Sequence, residues 1–279
     1  LCFFLILNGI RLRKRLSTTP RRQHRQTSAE ENKFALTMTV LGVVANSLIA
    51  FGPIACLAIF LVAQRSHLSI ISVVGAFCWM FSNVLSAILW IAIPPLKSEW
   101  GWVIPSGVFV QEAMRYLFFA LYSRSEVAIT KALDNPRATV PLNDLASSFS
   151  AGVGYGLMQT IIVFGSVVEN AFGDGSYYTT QCSSMSLFTL TAFTTCFVSI
   201  MQIAWMIIGF NAYRNKSLLR LIGLIVLHLG SSMTSLLNQQ KDMCLVGIGC
   251  QFLFMVVSIC CAFFSHKHAF KKLGVSAID

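Results

Sequence analysis

The chain has 279 residues, of which 55% are apolar and only 11% charged. A soluble domain is typically about 45–50% apolar and about 25% charged, so an ordinary water-soluble globule is excluded, as are disorder and collagen. The formal charge is +10, but eight of the basic residues fall within positions 1–37 and the patch has no interleaved aromatics, which excludes a nucleic-acid reading.

In chain order, the opening LCFFLILNGI is too short to span a bilayer. It also lacks the leading basic region of a signal peptide. The first methionine is Met38, and a hydrophobic run opens behind it. Residues 1–37 are therefore expected to be a basic extension, disordered or a gene-model artefact. Seven apolar stretches follow, each near the ~20 residues that a spanning helix needs. The first, 40–62, holds Asn46 and a kink expected at Gly52-Pro53; the second is 68–93. The third, 103–122, carries Gln111, Glu112 and Arg115. The fourth, 146–168, is glycine-rich, and the fifth, 185–210, is rich in Thr. The sixth, 218–237, has His228 near its middle, and the seventh is 243–264. No linker or repeat divides them. The expected fold is an all-α polytopic membrane protein: one seven-helix domain over 38–264 and a basic tail over 265–279.

Orientation follows from Lys and Arg in the loops. The loops after spans one, three and five, with the tail, hold Arg65, Arg124, Lys131, Arg137, Arg214, Lys216, Arg220, Lys267, Lys271 and Lys272. The opposite side holds Lys97 and Lys241. Ten against two places the C-terminus in the cytosol and the mature N-terminus in the lumen or outside the cell. The nine cysteines have no CxxC pair and no zinc spacing. Cys182 and Cys244 fall on the same expected outer side, where a disulfide is one option. His266 and His268 read as part of a solvated tail. No metal or cofactor is expected.

Polar groups inside spans are informative because a central charge costs about 2.5–3.5 kcal/mol on insertion scales. Glu112 and Arg115 are three apart, so they share one helix face and can pair. Two readings stand: a self-neutralised structural pair, or a catalytic or gating acid. Ser148, Gly152, Gly156 and Thr160 recur every four residues in the fourth span, with Gly154 beside them. Lipid offers no hydrophobic drive for helices to associate, so such a stripe reads as a packing face. Its partner helix could lie in this chain or another. Gln202 and His228 lie deep in the fifth and sixth spans; a histidine bonded to a neighbouring helix is the default, and a general base needs partners at hand. There is no GxSxG, no HExxH and no pair of span-centre aspartates, since Asp134, Asp144, Asp174 and Asp242 fall in expected loops.

Taken in order, IAFGP (Ile49–Pro53), GAFCW (Gly75–Trp79), QEAMR (Gln111–Arg115), GVGYGLM (Gly152–Met158), Gln202 with Trp205, and His228 resemble the anterior-pharynx-defective family. That family is the seven-helix scaffold subunit of gamma-secretase. The resemblance covers about Met38 to Phe264. It implies a non-catalytic subunit that assembles in the membrane with presenilin, nicastrin and presenilin enhancer. It implies support for cleavage of single-span proteins such as Notch and amyloid precursor protein. The family's GxxxG face maps to Gly152 and Gly156, with Thr160 at a position that is usually glycine. Of its two buried histidines, the second is His228, while Gln202 stands at the first. Two other classes are weighed. A glutamate-dependent protease of the prenyl-endopeptidase type would use Glu112, Arg115 and His228, but Gln111 stands where those enzymes carry a second glutamate. A seven-helix receptor would need a DRY-type triplet and an NPxxY, and neither is present.

Overall fold

Within lipid, backbone N–H and C=O groups must be satisfied internally, and a helix does this segment by segment. The computed structural model describes residues 29–93, 100–132, 144–171, 182 and 184–272. Among them are seven α-helices: α1 (Ala29–Leu57), α2 (Ser66–Ala92), α3 (Trp100–Ala132), α4 (Asp144–Ala171), α5 (Leu187–Arg214), α6 (Leu218–Thr234) and α7 (Cys244–Lys272). All seven expected stretches are helical. Six of the helices contain a segment long and apolar enough to cross a membrane; α3 does not meet that measure. Its middle carries Glu112 and Arg115, and its second half Arg124, Glu126 and Lys131.

Several boundaries differ from the apolar stretches. α1 starts at Ala29, ahead of Met38, and α7 continues to Lys272. Residues 1–28, 94–99, 133–143, 172–181, 183 and 273–279 lie outside the described residues, and with them Lys97, Asp134, Arg137 and Asp174. At the expected kink α1 continues through Pro53. A π-helical turn, Ala58–Val62, follows, with Ala63 N–H donating to the Ala58 carbonyl at 2.8 Å. α3 runs about ten residues past its expected end because the chain stays helical after it turns polar. The extension is anchored: Arg214 donates to Glu126 at 2.7 Å. Arg214 also donates to both carboxylate oxygens of Asp144, at 2.8 and 2.6 Å. Asp144 thus opens α4 rather than lying in a loop, where its charge suits the helix N-terminus.

The turn from α5 to α6 is short and fully bonded. Ser217 N–H donates to the Ala212 carbonyl at 2.9 Å, and Lys216 N–H to the Tyr213 carbonyl at 3.3 Å. This is the double bond pattern of a Schellman cap, with Lys216 taking the left-handed conformation at φ 50°.

α4 and α5 form the centre, and their mutual contact is the most extensive in the bundle. α2 lies on the other side of α4, α7 lies along α5, and α3 bridges α2 and α6. The two central helices are the most deeply buried, and they carry polar side chains such as Ser150, Gln159, Thr195 and Gln202 inside the bundle. Phe118, Phe119 and Tyr122 of α3 pack on Phe210 of α5 with ring centroids 5.2–6.0 Å apart. The outer faces are apolar as well: Leu48, Ile70, Val84, Leu253 and Phe263 are exposed, which suits a hydrocarbon surround. Cys182 and Cys244 are paired as a disulfide, tying the segment before α5 to the start of α7, with Cα atoms 5.9 Å apart.

Candidate functional site: a buried polar cluster beside a glycine face

The stripe on α4 finds its partner inside this chain. A Cβ built on Gly152 would lie 2.6 Å from Ile203 Cα, and one on Gly156 would lie 2.6 Å from the Ser199 carbonyl oxygen. Both neighbours are on α5, so the two backbones touch where the glycines are. Ser148 and Thr160 are buried at the ends of the stripe. Their hydroxyls donate to carbonyls of their own helix, Leu145 at 3.0 Å and Gly156 at 2.9 Å. Gly154 faces the other way. A Cβ there would run into the Ser72 carbonyl oxygen on α2, and Gly75 of α2 is pressed against the Ala151 carbonyl in return. The α4 helix is therefore notched on two sides and clamped between α2 and α5.

That close approach delivers two amides to each other. Gln159 lies three residues after Gly156, and Gln202 three after Ser199. Gln202 Nε2 donates to Gln159 Oε1 at 2.9 Å. On its other side, Gln202 Oε1 accepts from Arg115 Nη2 at 2.7 Å. Arg115 Nη1 donates to Glu112 Oε1, and the same oxygen meets His228 Nδ1 at 2.5 Å. The four residues singled out as buried polar groups, Glu112, Arg115, Gln202 and His228, form one continuous network across α3, α5 and α6, and Gln159 extends it to α4. Arg115 is 0% exposed, Gln202 1%, His228 3% and Glu112 6%.

Aromatic rings enclose the network. The Trp205 ring stacks on His228 with centroids 4.2 Å apart, and its indole N–H donates to Ser258 of α7 at 3.1 Å. The Arg115 guanidinium carbon stands 5.5 Å from the centre of the Tyr155 ring and 6.0 Å from that of Trp205, within cation–π range. A buried cation thus has a carboxylate, an amide and two ring faces around it. This is how an ion in a low-dielectric interior is made tolerable. Three buried atoms of the cluster, Glu112 Oε2, Arg115 Nε and the Tyr155 hydroxyl, have no hydrogen-bond partner within it.

The expected i,i+3 pair of Glu112 and Arg115 is present, and His228 does bond to a neighbouring helix. Sequence reasoning missed Gln159, Tyr155 and Ser258 as members. Gln159 had a signal, an amide in an apolar run one turn from a glycine notch. Tyr155 and Ser258 had none, because each is ordinary in a membrane helix. The contacting oxygen of Glu112 is shared by Arg115 and His228, and the nearby hydroxyl of Ser258 is engaged by Trp205. The arrangement is a tie among five helices.

A family model described as Aph-1 protein matches residues 41–269, a range that contains the whole glycine face and every residue of the polar network. The chain belongs to the Aph-1 family. Among its Aph-1 relatives, gamma-secretase subunit APH1-like of Arabidopsis thaliana is 27% identical over 229 residues, covering 80% of this chain and 90% of the relative. Gamma-secretase subunit Aph-1 of Drosophila melanogaster is 26% identical over 204 residues, 73% of this chain and 84% of the relative. Gamma-secretase subunit APH-1B of Mus musculus is 24% identical over 218 residues, 75% and 83% respectively. The Aph-1 assignment agrees with the resemblance drawn from the motifs.

Proposed function

We propose that this chain is a non-catalytic scaffold subunit of a gamma-secretase complex. In this reading it assembles with presenilin, nicastrin and presenilin enhancer, and leaves peptide-bond cleavage to presenilin. The complex then acts on single-span membrane proteins such as Notch and amyloid precursor protein. The observation that carries the reading is the Aph-1 match over 41–269, with relatives named as gamma-secretase subunits in a plant, an insect and a mammal. The geometry supports it: the polar groups tie helices of the chain to each other, and broad apolar faces of α1, α2 and α7 stay outside. A rigid bundle of that kind suits a subunit on which others pack.

The N-terminus is lumenal or extracellular and the C-terminus cytosolic in this proposal. The ten-to-two basic count supports that orientation. So does the Cys182–Cys244 pair, which would sit on the oxidising side. The complex would travel from endoplasmic reticulum and Golgi to plasma membrane and endosomes. The protease and receptor alternatives gain nothing from the relatives. The test is a mild-detergent pull-down of the full chain with mass spectrometry of what accompanies it. Presenilin, nicastrin and presenilin enhancer are expected together. A folded chain that purifies alone and cleaves a single-span substrate, with that activity lost in Glu112→Gln, would replace this reading with the protease one.

A further inference from the structure

Near the polar end of the bundle, α5, α6 and α7 leave an open groove of about 270 Å³ between them. Its walls are Ile208, Leu224, Leu227, Cys261 and Phe264, all apolar. Gly223 on α6 borders the groove, and a Cβ built there meets nothing within 4 Å. Arg220 and Ser265 line its polar part. Arg220, in the first turn of α6, donates to Asn211 Oδ1, and Asn211 Nδ2 donates to the Ser265 carbonyl at 3.1 Å. The guanidinium is thereby fixed onto the seam between α5 and α7. Its one hydrogen-bond partner is a neutral amide, and no carboxylate pairs with it among the described residues. Exposed Lys216 stands in the turn just before α6 and adds a second positive charge.

A greasy slot with an uncompensated, oriented cation at its head matches a molecule of the same polarity. The slot suits an alkyl chain, and the cation suits an anionic oxygen at the membrane surface, where basic residues attract acidic lipids. We propose that this groove binds an anionic glycerophospholipid of the surrounding bilayer. One acyl chain lies between α6 and α7 over Gly223, and the headgroup phosphate sits on Arg220. Asn211 positions the guanidinium, and Gly223 leaves the width for the chain.

The test uses the full chain in phosphatidylcholine nanodiscs doped with phosphatidylserine carrying a photoactivatable acyl chain, with crosslinks mapped by mass spectrometry. Labelling is expected to concentrate on Gly223, Leu224, Leu227 and Cys261, which line the groove, over the outward Leu253, Val257 and Phe263. Arg220→Gln should lower groove labelling by roughly fivefold, the scale of one cation at an anionic surface, while Arg220→Lys keeps most of it. At Gly223 a Cβ has open space, so Gly223→Leu puts its side chain into the slot without pressing on a backbone, and should lower labelling without lowering the unfolding temperature. Three outcomes each overturn the proposal: even labelling of groove and outward positions, equal labelling by a phosphatidylcholine probe, or labelling unaffected by both Gly223→Leu and Arg220→Gln.

Discussion

Arg115 is the residue on which the interior turns. It is fully buried, and its neighbours Glu112, Gln202, Tyr155 and Trp205 come from three helices. Removing one partner of a buried ion pair costs about 3–5 kcal/mol, because the other charge is left uncompensated. Arg115→Ala should therefore be the most damaging single change in the cluster. The double variant Glu112→Gln with Arg115→Met removes both charges and should lose less. Thermal unfolding in detergent reads the difference; a double variant no better than Arg115→Ala would mean the charges themselves are not what matters. Gln202 works through its two ends, accepting from Arg115 and donating to Gln159. A neutral imidazole can also accept on one nitrogen and donate on the other. Gln202→His should accordingly be tolerated, whereas Gln202→Leu strands both partners at about 1–3 kcal/mol per unsatisfied buried group. Equal unfolding temperatures for the two variants would show that the amide bridge contributes nothing.

At the scale of elements, α4 is held by backbone contact on opposite sides. Gly154 meets α2, and Gly152 and Gly156 meet α5. Even one methyl cannot enter at Gly154 without displacing a carbonyl, and overpacking of a close-packed interior typically costs about 1–3 kcal/mol. Gly165 lies on the same helix with open space before it. There, exchange to alanine should gain up to about 1 kcal/mol from helix propensity alone. The prediction is a split within one helix: Gly154→Ala and Gly156→Ala lower the unfolding temperature, and Gly165→Ala holds or raises it. Uniform behaviour across the three would remove the clamp. Because the α4–α5 contact places Gln159 against Gln202, Gly156→Leu should also disturb the polar network from a distance. The α5–α6 turn is constrained as well, since Lys216 is held in the left-handed region. Lys216→Gly would relieve that strain at little cost.

For the whole molecule, orientation and covalent structure make a joint prediction. Non-reducing peptide mapping of the full chain from its native membrane should recover a Cys182–Cys244 linked peptide. Asn215-Lys216-Ser217 matches the glycan acceptor pattern, and Asn215 is exposed at the end of α5. On the proposed cytosolic side it should nonetheless carry no glycan. A glycosidase-sensitive mass shift mapped to Asn215 would invert the topology.

Composition and the length of the apolar runs were enough to set the all-α membrane class and the approximate limits of the seven helices among the described residues, six of which are long and apolar enough to cross a membrane, because bilayer thickness and backbone satisfaction admit few alternatives. The i,i+3 spacing of Glu112 and Arg115 gave their pairing, because both lie on one helix face. Local sequence could not say where α3 ends, since helix propensity does not stop where hydropathy does; the anchor that holds its polar end, Arg214, is 88 residues away from Glu126. Nor could it say which helix fills the glycine notches, or that Gln159, Gln202, Arg115 and His228 share one site. Those joins run between residues 43 to 116 positions apart, and only the packing of α3, α4, α5 and α6 brings them within hydrogen-bond reach.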